Sequence, residues 1–526
     1  MPNVLSQLPD DINALKALLA EQLARNTRLE QDNVRLDAKV LSLQEQLNLA
    51  LARRYAASSE KLSPDQIRLF NEAEVDAALD SDAPDGANLD ETVAVPAHHR
   101  KKGGRKPLPE ALPRVEVIHE IPEDQRHCPH DGQVLAEINQ VVSEQLDIIP
   151  AQIRVIRHIR KQYACTCGQC IQTALLPGQP IPKSMASPGL LAHIAVSKYQ
   201  DALPLHRQEQ ILQRIGVDIP RATLASWMIR CGQLVQPLIN LLRDRLLDYD
   251  IVQMDETTVR VLKEPGKTAQ SKSYLWLQRG GPPDEPVILF DYDPSRNQTV
   301  PRELLAGFAG YLQADGYSGY NGVVGAGGLV HVGCMAHARR KFSEAAKGQG
   351  KNPRQGQAQQ GLAWIQKLYR IEKQARTQQM SPPERKAHRQ QHAAPILAKL
   401  RTWLDDSLPT VPPGTLTGKA LTYLHNEWPK LIRYLEDGRL EIDNNLAENA
   451  IRPFVIGRKN WMFSDSVHGV KASANLYSLV ESAKASGLEP YGYLRRVFTA
   501  LPQAESVEDI ENLLPWSLKK NSAETR

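Results

Sequence analysis

From Ile12 to Ala50 the apolar positions recur with a seven-residue period. One core position runs Ile12, Leu19, Asn26, Asn33, Val40, Leu47, and the other runs Leu15, Gln22, Leu29, Leu36, Leu43, Ala50. A heptad pattern of this length without Gly or Pro predicts a coiled coil over residues 1–56. Asparagine at the first core position favours a parallel homodimer in fixed register. The competing expectation is a helix packed on its own domain. Residues 113–180 change texture: VEVIHEI, VVSEQLDII and IRVIRHIRKQYAC read as strands of a β-rich module.

A helical stretch follows. Leu205, Ile211, Leu212 and Ile215 form an apolar face, Gly216 supplies a turn, and Pro220 suits the first position of a second helix. That helix, RATLASWMIRC, buries Leu224, Met228 and Cys231 and leaves Arg221, Thr223, Ser226 and Arg230 outward. The pattern is that of a helix-turn-helix within residues 181–246, with Arg221 and Arg230 as candidate DNA contacts. A plain helical hairpin is the bland alternative.

Strand texture begins at Asp250. The pattern predicts strands at Asp250–Leu262, Tyr274–Gln278 and Pro286–Tyr292, a helix at Pro301–Phe308, strands at Gly310–Ala314 and Val330–Cys334, and a helix at Ala336–Ala345. Three hairpin-linked strands followed by alternating helices and strands make a mixed α/β sheet. Residues 347–435, rich in Gln, Lys and Arg, read as a helical insertion. If Asp443 caps the next helix, Asn444, Asn445, Glu448 and Arg452 share one face, while Leu446, Ala447, Ala450 and Ile451 pack inward. Ser473–Leu488 and Tyr491–Leu501 are expected as helices. The sheet with its closing helices spans 247–346 and 436–488, and 489–526 form a helical tail.

At 526 residues the chain exceeds a single core and suggests roughly three or four domains. No apolar run of about eighteen residues predicts a membrane span. Met1-Pro2-Asn3, with Asp10 and Asp11 close by, lacks the features of a signal peptide, and the expected location is the cytoplasm. The net charge of +4 says little by itself; its distribution says more. An acidic linker with Asp80, Asp82, Asp85, Asp90 and Glu91 flips to the basic arm HHRKKGGRK, His98–Lys106, within the connecting stretch 57–112. Such an arm can follow a phosphate backbone, though short basic runs are commonly just solvated.

The cysteines point to metal. Cys165, Cys167 and Cys170 make a good zinc knuckle, whereas Cys128 is followed by Asp131 where a second sulfur belongs. Structural Zn²⁺ and a ribbon that has lost its metal are both open.

Asp255 falls in the first strand of the sheet, Asp315 at the end of a later one, and Glu448 on the helix after the insertion. Three carboxylates so placed can converge on two divalent ions about 4 Å apart, and hard oxygen ligands suit Mg²⁺ or Mn²⁺. Glu256, Asp291, Asp293 and Asp443 are rival acids.

The chain resembles the transposases of the insertion sequence 66 family. The resemblance is carried by Ser58-Ser59-Glu60-Lys61-Leu62, Met254-Asp255-Glu256-Thr257, Gln313-Ala314-Asp315-Gly316-Tyr317 and Cys334-Met335-Ala336-His337-Ala338-Arg339-Arg340-Lys341-Phe342. It continues through Asp443-Asn444-Asn445, Glu448, Arg452-Pro453, Gly457-Arg458-Lys459-Asn460-Trp461 and Leu514-Pro515-Trp516. It implies a ribonuclease H-like catalytic domain with an Asp, Asp, Glu triad at Asp255, Asp315 and Glu448, a helical insertion, a helix-turn-helix and a zinc-finger-like region. Asp131 is the departure, and it bears on zinc rather than on the triad.

The expected activity is Mg²⁺-dependent cleavage of the element's terminal inverted repeats and transfer of the 3′-hydroxyl ends to target DNA. Companion proteins of the element are expected partners. Cys334 and His337 can be read as half of a metal site; the favoured reading puts Cys334 in the core, with His337, Arg339 and Arg340 near the triad against DNA phosphates. Arg452, Arg458 and Lys459 are further candidate contacts. A catalytically silent DNA-binding regulator is the alternative from another class, and a junction resolvase a remoter one.

Overall fold

The structure, a computed structural model, describes residues 11–55, 153–164, 171–173, 177–323, 328–349 and 356–524. They fall into two units, one holding α1 (Ile12–Tyr55) and the chain from residue 177 onward, the other lying within residues 82–176. In the second unit β1 (Gln162–Ala164) and β2 (Ile171–Thr173) form an antiparallel hairpin closed by Ala164 opposite Ile171. Cys128, Asp131, Cys165, Cys167, Cys170, the acidic linker and the basic arm lie outside the described residues.

The first unit continues with α2 (Pro188–Tyr199), α3 (Leu205–Arg214), α4 (Arg221–Leu234) and α5 (Gln236–Asp248). Gly216, at φ +82°, makes the left-handed turn between α3 and α4 that a residue with a Cβ resists. Pro220 is the N-cap of α4 and not its first residue. Leu224, Met228 and Cys231 are buried together with Trp227, while Arg221, Ser226 and Arg230 are exposed. This helical segment closes no core of its own. Its buried face belongs to the same cluster as Leu275, Leu277 and Phe290 of the sheet.

The sheet comprises β3 (Ile251–Lys263), β4 (Lys272–Gly280), β5 (Val287–Asp293), β6 (Gly310–Gln313) and β7 (Leu329–Val332), in the order β5-β4-β3-β6-β7. β3, β4 and β5 are antiparallel neighbours, whereas β6 and β7 run parallel to β3. Between β5 and β6, α6 (Thr299–Leu304) is shorter and earlier than the expected Pro301–Phe308. Gly307, at φ +83°, turns the chain back toward β6 before a longer helix can form. Gly310 opens β6 at φ +141°, where a Cβ would come within 2.4 Å of the Asp250 carbonyl oxygen. Only glycine lets β6 start so close to the head of β3.

After β7 come α7 (Met335–Gly348), the insertion helices α8 (Gln357–Thr377), α9 (Pro382–Ser407) and α10 (Leu416–Leu431), and then α11 (Asn445–Trp461). β8 (Ser464–Ser466), α12 (Val467–Ala485), α13 (Pro490–Ala500), α14 (Val507–Glu511) and α15 (Pro515–Glu524) complete the chain. β8 pairs in parallel with the far end of β3, a contact the residue pattern did not announce. α12 covers the open edge of β5: Ser478 and Ser482, one helical turn apart, accept the N–H groups of Phe290 (2.8 Å) and Ile288 (2.9 Å). A strand edge so satisfied offers no template for pairing with another chain.

The insertion builds a second core around Ile365, Leu368, Leu397, Leu400, Leu421 and Leu424, continuous with Phe342 of α7 and Val332 of β7. Within it Arg389, fully buried, uses all its N–H groups. It forks onto Glu372 (2.8 and 2.7 Å) and donates to the carbonyls of Tyr434, Asp437 and Leu440. The segment leading to Glu448 is thereby tied to the insertion.

The C-terminal part of α1 packs on the same region. Glu45 accepts the N–H of Leu416 at 2.7 Å, capping the start of α10, and Asn48 donates to the Gly348 carbonyl at 3.0 Å. The docked face of α1 is Ala38, Ser42, Glu45 and Leu49. The heptad seam lies elsewhere on the helix, with Leu36 56% and Val40 65% exposed. The C-terminal part of α1 is therefore a helix packed on its own domain, and its heptad seam is exposed. Among the described residues no helix is long and apolar enough to cross a membrane.

Candidate active site

Strand register decides what meets at the carboxyl end of the sheet. Gln253 of β3 lies opposite Gln313 of β6, and Gln313 opposite Val332 of β7. Two residues further along each chain stand Asp255, Asp315 and Cys334. The two-residue side-chain period carries all three to the same side as the matched positions. Gln253 donates to the side chain of Gln313 (3.1 Å), which in turn donates to the Glu441 carbonyl (2.7 Å). Gln313 thus fastens β3, β6 and the approach to α11 in one register, which accounts for a residue of the quoted Gln-Ala-Asp-Gly-Tyr block that the sequence left without a role.

Asp255 is half-buried, and its carboxyl is pushed well above the usual range, first by desolvation and then by the charges of Glu256, Glu448 and Asp315. Glu448 and Asp315, distant from Asp255 in sequence, are its electrostatic neighbours in the fold. Asp315 accepts the N–H of Tyr317 at 2.9 Å, a local turn that fixes its carboxyl. Glu448 is buried in the first turn of α11. One of its oxygens lies 3.6 Å from His337 Nδ1 and the other 3.7 Å from Arg340. Burial, with Arg340 second, holds His337 down to about 4, so its imidazole is neutral at pH 7.

The expected polarity of α11 is partly reversed. Asn444, not Asp443, is the N-cap residue, and its side chain reaches the Met254 carbonyl at 3.5 Å. Asp443 receives the Tyr369 hydroxyl (2.8 Å) from the insertion, and burial raises it to about 6. Asn444 and Glu448 face the protein while Leu446 is 42% exposed, so Leu446 does not pack inward as expected. Ala447, Ala450 and Ile451 do pack inward as expected, and the polar positions Asn444 and Glu448 are buried as well.

Of the rival acids, Asp291 is gripped by Arg243 at 2.7 Å and Asp293 accepts the Ser295 N–H at 2.7 Å; both serve local structure. Glu256 is different. Its side chain, 3% exposed, is held by Arg296 and by the Tyr320 hydroxyl (2.6 Å), and Arg296 stacks 3.9 Å from the Tyr317 ring. This brace ties β3 to the loop after Asp315. Only the adjacency of Glu256 to Asp255 hinted at it.

The candidate DNA contacts separate by environment. Arg221, Arg230 and Lys459 are exposed, whereas Arg339, Arg340 and Arg452 are partly covered. Arg458 turns inward, donating to Thr257 Oγ1 at 3.0 Å and to the Thr258 carbonyl, so its hydrogen bonds go to β3. Cys334 is buried as expected, yet it lies with His337 and Glu448 in a group whose ligand atoms are all within 4.8 Å of one another.

Residues 183–472 match the family profile described as "Transposase IS66 family". The chain belongs to this transposase family. Residues 125–168 match the zinc-finger binding domain of transposase IS66, 478–516 the IS66 C-terminal element, and 42–117 a region described as "Transposase C of IS166 homeodomain". Two proteins of Sinorhizobium fredii (strain NBRC 101917 / NGR234) are similar along nearly their whole length. "Uncharacterized protein y4jD" is 33% identical over 517 residues, covering 94% of this chain and 98% of that protein. "Uncharacterized protein y4qI" is 30% identical over 547 residues, covering 98% and 99%. The transposase family assignment fits a protein acting on DNA, and the zinc-finger match takes in Cys128, Cys165 and Cys167 but ends before Cys170.

Proposed function

We propose that this member of the transposase family cleaves the ends of its insertion sequence and transfers the 3′-hydroxyl ends to target DNA, using Asp255, Asp315 and Glu448. The observation that carries the reading is that Asp255, half-buried in β3 at the level where β6 ends, has Glu448 and Asp315 as charged neighbours. The catalytic domain is read as ribonuclease H-like, spanning 247–346 and 436–488 and interrupted by the insertion 347–435. Three antiparallel strands followed by two parallel ones, with the last acid on a helix, support that assignment.

The donor set fits hard divalent ions. Oxygen ligands from three carboxyls that act on one another electrostatically would suit Mg²⁺ or Mn²⁺, and the repulsion around Asp255 would be relieved by positive charge. Bound as a pair, such ions supply activation of the attacking water or hydroxyl and stabilisation of the departing oxygen. The chain's own residues orient the reacting strand. Tyr317 N–H fixes Asp315, and the Arg296–Glu256–Tyr320 brace steadies the strand under Asp255. His337 and Arg340 flank Glu448, where they can contact phosphates of the scissile strand. Arg221 and Arg230, on the exposed face of α4, serve the terminal repeats, and the α1 seam serves a homodimer.

The test is a nicking assay on a repeat-ended duplex with Mg²⁺. Asp255→Asn should keep its binding to the duplex and lose at least ~10³-fold in cleavage, about 4 kcal/mol of barrier. Cleavage at the parental rate by that variant would remove the triad assignment. A parent protein that binds the ends but never cuts with Mg²⁺ or Mn²⁺ would be the silent regulator instead.

A further inference from the structure

We infer that Cys334, His337 and Glu448 form a second metal site, one for a thiophilic divalent cation of the Zn²⁺ class, and that its occupation withdraws Glu448 from the acid cluster. The first half stands on geometry alone; the second rests on the function proposed above.

Three elements deliver the donors. Cys334 ends the run after β7, at the rank of Asp255 and Asp315. His337 sits in the first turn of α7, and Glu448 in the first turn of α11. A thiol, an imidazole and a carboxyl oxygen come within 4.8 Å of one another. His337 Nδ1 lies 3.6 Å from Glu448 Oε1, beyond ordinary hydrogen-bond reach. Among the described residues that buried nitrogen has no hydrogen-bond partner. A tetrahedral zinc with bonds of about 2.0–2.3 Å sets its ligand atoms roughly 3.5 Å apart, which the His337–Glu448 spacing already matches.

Burial, and then the negative charges of Glu448 and Asp443, hold the Cys334 thiol well above its usual range, so its thiolate forms only with a cation beside it. The backbone N–H groups of His337 and Asn444 offset that rise only in part. On coordination Cys334 gives its proton to solvent, and thiolate plus carboxylate balance the two charges of the cation. Arg340 opposes a cation, but it lies against the other oxygen, Oε2, leaving Oε1 on the side of His337. Sulfur and nitrogen donors choose Zn²⁺ over Mg²⁺, the reverse of the preference at Asp255 and Asp315. A carboxylate held by zinc in this corner is lost to the oxygen-ligand site, so zinc should inhibit Mg²⁺-supported cleavage.

The experiment uses the full-length chain, with Zn²⁺ and Co²⁺ as probes. After dialysis against a weak chelator, Cys334→Ser should hold one Zn²⁺ fewer than the parent. The double variant Cys165→Ser/Cys167→Ser, altered in the zinc-finger region, should keep that ion. Co²⁺ loading should give a thiolate charge-transfer band in the double variant that Cys334→Ser lowers further when the three changes are combined. If Cys334→Ser fails to fold by circular dichroism, His337→Ala replaces it and should bind at least about tenfold more weakly, as loss of a metal's support commonly costs.

Equal zinc content and equal Co²⁺ spectra in parent and folded variants would overturn the site. In the nicking assay, Zn²⁺ should inhibit the parent at a concentration at least about tenfold lower than it inhibits the variant. Zinc lost on Cys334→Ser with no cleavage by any form leaves the site standing and removes the proposed function. Cleavage by the parent with no such loss of zinc does the opposite.

Discussion

Asp255 carries a cost that the metal-free protein cannot avoid. Burial, and then Glu256, Glu448 and Asp315, raise its folded-state pKa above the unfolded value, so the native state holds a proton to higher pH than the unfolded chain. Without metal, the stability associated with this group is full in acid and is lost as pH rises from the ordinary carboxylate range through the raised value. Asp255→Asn should therefore raise Tm at neutral pH in chelator, although it removes cleavage. Thermal scans with and without Mg²⁺ check this: the ion should raise the parent's Tm by mass action and leave the variant nearly unmoved. His337 works in the other direction. Its folded pKa, lowered to about 4 from 6.5, costs stability as pH falls between those values. At this scale the acids were readable as candidates because a strand-borne aspartate, an aspartate just past a strand and a polar stripe on a helix are local patterns, although the cap proved to be Asn444 rather than Asp443. The inward turn of Arg458, the exposure of Leu446 and the third ligand beside Cys334 and His337 were not, because each depends on a partner more than a hundred residues away or on which side of a helix meets the sheet.

The helical insertion organises the approach to Glu448. Tyr369 of α8 grips Asp443, and Arg389 of α9 binds three carbonyls between Tyr434 and Leu440 while paired to Glu372. A paired guanidinium of zero exposure is a specification device more than a source of net stability. Arg389→Ala leaves Glu372 buried without its charge partner and should cost about 3–5 kcal/mol, read as a lower midpoint in urea. Arg389→Met combined with Glu372→Leu should recover most of that stability. It should still lower cleavage, because nothing then holds the 434–440 segment. Helical texture announced helices in this stretch; it could not announce that an arginine in a surface-like, polar helix would become so enclosed a charge. Only the convergence of α8, α9 and the returning chain removes water from it.

For the molecule as a whole, α1 is the element with two loyalties. Ala38, Ser42, Glu45 and Leu49 dock on the helical region, and the heptad seam stays open on other faces. Leu36→Glu should convert a dimer to a monomer in light scattering, since it places like charges across the seam. It should change the melting of the isolated chain by no more than about 0.5 kcal/mol, since Leu36 is 56% exposed there. Loss of the docked contact on that substitution, or a mass unchanged at any concentration, would show the seam serves something other than a second copy. The expected helix-turn-helix segment likewise belongs to a larger whole, because its buried face joins the core of the sheet. A DNA-reading helix so anchored would move with the strands that carry Asp255 and Asp315.

Local chemistry in the sequence determined the elements: β-branched runs for β3 to β5, glycines at the turns, and the heptads of α1. These depend on neighbours within a few positions, so the pattern suffices to read them. Tertiary structure alone decided what stands beside what: Gln313 locking two strands in register, Glu448 turned toward His337 and Arg340, and β8 joining the end of β3. Those outcomes turn on strand register and on the rotation of whole helices, which are set by the sum of many long-range contacts and written at no single place along the chain.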